Sequence, residues 1–183
     1  MKILIASITL LFLSMACLSQ GIKPASVGKS VVYFVRTSGV GFAINFTYFD
    51  SAKVIGKFNG EGYFRYECEP GVHLLWARSE NRDFVNADLE AGKIYFIEAQ
   101  PKMGAFKAAV RILPVIPDDE KTMKRILKLI NKKSAEYFPA EELETETNKS
   151  KDVIQRGLEK YKEEKAKGKE NERLDKTMYY KGQ

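Results

Sequence analysis

Scarcity sets the first limits on this chain. Its 183 residues include 2 cysteines, 1 histidine, 1 tryptophan and 6 prolines. Two cysteines, Cys17 and Cys68, cannot make a disulfide scaffold or a cysteine-rich zinc site. The lone histidine, His73, cannot build the usual multi-histidine zinc centre. No Gly-x-Ser-x-Gly elbow is present to supply a serine nucleophile. Gly39-Val40-Gly41 and the stretch from Gly56 to Gly62 lack the Lys-Ser/Thr of a phosphate-binding loop and read as turns. No catalytic residue, metal or cofactor is expected. No apolar run reaches the ~20 residues needed to cross a bilayer as a helix.

The longest apolar run is at the start. Lys2 precedes Ile3 to Met15, in which only Ser7, Thr9 and Ser14 are polar, and Ser14-Met15-Ala16-Cys17 follows. Charge, apolar core and small residues in that order make an export signal over residues 1–20. Two outcomes stay open. Cleavage after Ala16 or near Gln20 would release a soluble protein, with Cys17 discarded or inert. Cleavage before Cys17 with lipidation of its thiol would anchor the chain to a membrane. Ala16 and Cys17 fit the bacterial lipoprotein pattern, whereas Ser14 and Met15 depart from it. Either way the expected location is the periplasm or cell envelope, which argues against nucleic acid as the partner of a chain with net charge +6.

What is abundant is aromatic and β-branched. From Val31 to Leu113 short apolar stretches alternate with turn signals such as Asn59-Gly60, Pro70-Gly71 and Glu90-Ala91-Gly92. Val31 to Arg36 is a near-continuous apolar run, suited to a central strand; Phe42 to Tyr48 alternates and suggests a second. About seven to eight strands at short, even spacing predict an antiparallel β-sandwich over residues 28–116. Its aromatic residues, among them Tyr33, Phe34, Phe46, Phe64, Tyr95 and Phe96, suffice to fill a core between two sheets.

The strand residues also carry a resemblance. Val32-Tyr33-Phe34-Val35-Arg36, Ile55-Gly56, Gly62-Tyr63-Phe64, Pro70-Gly71-Val72-His73, Ala77-Arg78-Ser79-Glu80 and Leu89 to Phe96 follow in order. This order resembles an uncharacterised bacterial domain-of-unknown-function family of small secreted or lipoprotein-like envelope proteins. More distantly it is similar to PEGA and carboxypeptidase-regulatory-like sandwich modules. The resemblance implies a prealbumin-like or immunoglobulin-like sandwich without established catalytic residues, and it stops before Pro117.

Beyond Pro117 the composition turns charged. Met123, Ile126, Leu127 and Ile130 form one helical stripe, and Asp118 or Asp119 can cap it, so residues 117–138 should hold an amphipathic helix. Residues 139–150 are acidic and unpatterned and read as a linker. Residues 151–183 read as a charged helix to about Lys167, with Gly157 interrupting a thin stripe, and then a frayed end.

These readings lead to one expected function and one alternative. The expected function is that of a non-enzymatic exported protein that binds or scaffolds another envelope component, a protein or a glycan, through the sandwich and helical tail. The alternative is a small-ligand or glycan carrier. The candidate surface is Tyr48, Tyr63, Trp76 and Arg78, with Arg36, Arg65 and Arg82 as further members of a basic patch. Exposure of the three aromatics would favour the carrier.

Overall fold

The structure, a computed structural model, describes residues 21–103 and 108–182. Cys17 and the export signal lie outside them. The chain is mainly β, with two mixed sheets packed together and three helices after them. The strands are β1 (Ser30–Arg36), β2 (Phe46–Asp50), β3 (Lys53–Phe58), β4 (Gly62–Cys68), β5 (Gly71–Arg78), β6 (Arg82–Leu89), β7 (Ile94–Met103), β8 (Ala108–Pro114) and β9 (Glu172–Leu174). The helices are α1 (Glu120–Lys132), α2 (Ala140–Lys149) and α3 (Lys151–Ala166). One sheet has the order β4-β1-β7-β8 and the other β3-β2-β5-β6-β9.

Side-chain alternation along β1 shows how the layers form. Val32 and Phe34 face the second sheet and join the central core with Tyr48, Leu75, Val85 and Ile97. Val31, Tyr33 and Val35 point the other way and pack under Met123, Ile126, Leu129 and Ile130 of α1. All seven residues of β1 are therefore buried, which is why its sequence is a continuous run rather than an alternating one. The second sheet is covered in the same manner. Phe49, Val54, Trp76 and Phe84 line its outer face beneath Ile154 of α3, with Leu143 of α2 beside them. The order of layers is helix, sheet, sheet, helices.

Side chains bond to the backbone of one edge strand in each sheet. Asn81 pairs with both backbone groups of Val110, at 2.7 and 2.8 Å, and Asp83 accepts from the Ile112 N–H at 2.8 Å, so β8 has little free edge to offer a partner strand. At β3, Thr147 of α2 accepts from the Val54 N–H at 3.0 Å. Gly56 lies where a Cβ would come within 2.8 Å of the Phe64 ring, so only glycine allows this strand its close approach.

Four sequence expectations change. The sandwich is not wholly antiparallel, since β1 pairs with β7 and β6 with β9 in parallel. The second strand begins at Phe46, not Phe42. Residues 37–45 instead wrap the buried Arg36 guanidinium, which donates to the carbonyls of Ile44, Val40 and Gly41 at 2.9, 2.9 and 2.7 Å and stacks on Phe46. Those carbonyls are spent on a charge and cannot join a ladder. The expected acidic linker is the helix α2. It buries no residue fully, so it has no stripe to read, and it is fixed by Thr147 and by half-buried Leu143. The expected frayed end is part of the core. Leu174 is wholly buried, the Tyr180 N–H donates to the Ile94 carbonyl at 2.8 Å, and Tyr180 meets Phe96 edge-on. A three-residue strand and isolated aromatics have no period to betray them.

The first helix forms where its stripe predicts. Asp119 caps it, accepting from the Thr122 N–H at 3.1 Å. Arg125 Nη2 donates to both oxygens of the buried Glu98 of β7, at 2.9 and 3.0 Å, and so ties α1 to the sheet by charge-assisted hydrogen bonds.

Candidate functional site

Chemistry-bearing side chains gather at the end of the sandwich where β2, β4 and β5 meet. Strand β2 ends at Asp50, and Ser51 turns the chain with φ of +50°. Strand β4 contributes Tyr66 and Cys68, and the Pro70-Gly71 turn leads into His73 on β5. Asp50 Oδ2 accepts from the Tyr66 hydroxyl at 2.8 Å and lies 2.7 Å from His73 Nδ1. The other ring nitrogen, Nε2, is 2.9 Å from the Glu69 carbonyl oxygen. Two acceptors at the two nitrogens favour the doubly protonated ring. A cavity of about 340 Å³ opens here, with Lys29, Lys53, Glu67 and Glu69 around the cluster.

The electrostatics agree with that geometry. The hydrogen bond to Asp50 raises the His73 pKa above its ordinary 6.5, against the opposing effect of burial. Burial alone would raise the Asp50 carboxyl, but the hydrogen bonds from His73 and Tyr66 outweigh it and hold the carboxyl below its usual range. Burial, and then the Asp50 charge, push the Cys68 thiol up to about 12. A nucleophilic cysteine needs the opposite shift. A general base needs a free ring nitrogen, and His73 has none. The cluster clasps the β4–β5 turn to the end of β2. Among the described residues no group of three or more His, Cys, Asp or Glu could hold a metal ion.

The structure separates the residues that the sequence grouped as one surface. Tyr48 and Trp76 are 0% exposed and Tyr63 is 4% exposed. Tyr48 packs between Phe34, Phe58 and Phe64 in the central core. Tyr63 sits under α1, with its hydroxyl donating to the Lys133 carbonyl at 3.1 Å. Trp76 stacks on Phe49 with ring centres 3.7 Å apart and donates to the Ser51 carbonyl. Core packing has claimed all three, so none of them lines an open surface. Arg36 is buried, and Arg65 is engaged with Glu67 and the Pro24 carbonyl. Only Arg78 stays exposed, at the end of β5 and directly opposite Arg82 of β6. Sequence reasoning missed Asp50, the carboxylate at the centre of the histidine cluster, because it comes from another strand.

A groove of about 550 Å³ runs between α2 and β3 and shares Lys53 and Tyr66 with the histidine cavity. Among the described residues no helix is long and apolar enough to cross a membrane.

Comparison with known proteins adds one distant relative. Over 106 residues, 56% of this chain, it is 32% identical to an uncharacterized protein of Haemophilus influenzae. The chain covers 60% of that protein's length, and the likeness assigns no family. No protein-family model matches the chain, and no solved structure matches it.

Proposed function

We propose that this chain is a non-enzymatic exported protein of the bacterial cell envelope, which binds or scaffolds another envelope component through its sandwich and the helices packed on it. The observation that carries this reading is the state of the only histidine. Both of its ring nitrogens are occupied, at 2.7 and 2.9 Å, beside a cysteine whose thiol is buried and pushed up to about 12. The group best suited to acid–base work is spent on holding a turn. Two further features support the reading. The first residues have the order of an export signal, and Cys17 follows them at the position of a lipidated cysteine. With its outer faces covered by helices and β8 capped by Asn81 and Asp83, the sandwich offers charged surface to a partner rather than an open strand.

Cell fractionation with crosslinking in intact cells tests this. Recovery in the envelope fraction, with discrete crosslinked envelope partners, is the expected result. Mass spectrometry of the mature N-terminus decides between a lipidated Cys17 and an unmodified start further along. A hydrolase screen is expected to show no turnover. Robust turnover that disappears in His73→Ala would overturn the reading.

A further inference from the structure

One end of the sandwich displays apolar side chains on a loop that is fastened from beneath. Residues 37–45 join β1 to β2 and carry no charged side chain, in a chain that is 30% charged. The buried Arg36 donates to the loop carbonyls of Val40, Gly41 and Ile44, and the Ile44 N–H donates to the Gly41 carbonyl at 2.9 Å. Ile44 turns inward and packs against the central core. Val40 and Phe42 do not: they are 59% and 73% exposed. Apolar side chains held in water gain by burial against something outside the chain.

The described residues begin at this same end. From Ser26 back to Gly21 the chain runs over the outer face of the four-stranded sheet, opposite in direction to β1. The Ser26 N–H donates to Glu67, the register partner of Val31. The Lys23 N–H donates to the Tyr33 hydroxyl, and the Pro24 carbonyl accepts from Arg65, which stands opposite Tyr33. Ile22 packs in the cluster that holds Val35. A Cβ on Gly21 would lie 3.9 Å from Asn131 in the last turn of α1, and the Ile130 carbonyl of that turn accepts from Tyr63, the partner of Val35. The 37–45 loop starts two residues after Val35. Three residues separate Gly21 from Cys17, a reach of at most about 14 Å. The opposite end of β1 is about 20 Å away. A lipid on Cys17 would therefore hold the loop end toward the bilayer.

We infer that the 37–45 loop docks on a lipid bilayer, with Val40 and Phe42 entering the boundary between headgroups and acyl chains. The inference rests on the envelope reading above and goes beyond it by naming a surface and its occupant. Lipid fits this loop better than a protein strand does, because three of its carbonyls are already satisfied by Arg36 and bring no unmet polar group to an apolar boundary. Charges at the same end stand on neighbouring turns, where the headgroup layer can take them: Glu61, 3.9 Å from Lys133, and Arg78, Glu80 and Arg82. The exposed Val27 and Val72 lie at the opposite end, and Val72 stands directly opposite Asp88.

The test places the mature protein on vesicles of phosphatidylcholine and phosphatidylglycerol, the former brominated on its acyl chains to quench nearby tryptophan. Wild type has one tryptophan, Trp76, which is 0% exposed and should keep its emission. Phe42→Trp should lose emission and shift to the blue. Val72→Trp, at the far end, should do neither. With the reporter supplied by Val40→Trp instead, adding Phe42→Ser should cut the docked-to-undocked ratio at least about tenfold. No quenching in Phe42→Trp, equal quenching in Val72→Trp, or a ratio indifferent to Phe42→Ser would each overturn the inference. A photo-crosslinker at position 42 that captures a discrete envelope protein in cells, with no quenching on vesicles, would assign the loop to a protein and overturn the bilayer. Absent quenching with envelope fractionation and crosslinks intact would remove the docking loop and leave the envelope reading. Quenching by a protein that cells do not place in the envelope would do the reverse.

Discussion

The two outer faces of the sandwich are covered by helices built on different plans. Helix α1 brings a full stripe, with Met123, Ile126, Leu129 and Ile130 all buried against Val31, Tyr33, Val35 and Phe96. Helix α3 brings almost none, with Ile154 and Gly157 its only buried residues. The sheets explain the difference. Beneath α1 the helix side chains pack among Val31, Tyr33, Val35 and Phe96. Beneath α3, Phe49 and Trp76 stack with ring planes 7° apart, and Phe84 lies beside them tilted by 34°. The far edge of the Trp76 ring reaches the α3 backbone, and Gly157 leaves room for it. Val153, Leu158 and Tyr161 of α3 pack there only partly buried, so a weak stripe does not mean a weakly held helix.

This contrast can be broken at its strongest contacts first. Trp76→Ala removes the floor of α3 and should cost about 3–5 kcal/mol. Ile126→Ala removes a central knob of α1 and should cost about 2–5 kcal/mol. Chemical denaturation should show one transition for both variants if helices and sheets unfold as a unit; a separate early transition in either would detach that helix from the core. Gly157→Val should cost about 1–3 kcal/mol, because a side chain there is driven into Trp76 and overpacks a filled site. On helix propensity alone the same change would stabilise slightly, since glycine ranks below valine as a helix former. The sign of that one measurement therefore decides whether Gly157 interrupts α3 or seats it.

That ambiguity marks the limit of what the sequence could show. Helix α1 was legible because its apolar residues repeat with the helix and Asp119 caps it. Strand β1 was legible because burial on both faces writes an unbroken apolar run. Helix α2, Gly157 and strand β9 were not, since each depends on a surface supplied by a distant segment. The same holds for the sites. One partner of His73, the Glu69 carbonyl, lies just before it in the chain. Its carboxylate partner, Asp50, comes from another strand, which no spacing announces. Tyr48, Tyr63 and Trp76 could not be told from surface residues by type, because aromatic side chains serve cores and binding faces alike.

The smallest expected effect is on pH dependence. His73 has a raised pKa in the folded protein, so its contribution is complete below the ordinary 6.5 and fades as pH rises through the raised value. Asp50 has a lowered pKa, so its contribution is complete above the ordinary 3.8 and fades as pH falls through the lowered value. The two together predict a plateau of Tm between 3.8 and 6.5 and a decline above it. His73→Asn should flatten the decline above 6.5 in scanning calorimetry. An unchanged slope would show that the clasp adds nothing to folding.

The central claim is that the protein works by binding an envelope component rather than by turning over a substrate. Photo-crosslinking in living cells, from a reactive side chain placed at Gln155 on α3 or at Lys128 on α1, asks this directly. Discrete envelope adducts from at least one of the two helices are the predicted result. No discrete adduct from either helix would contradict it.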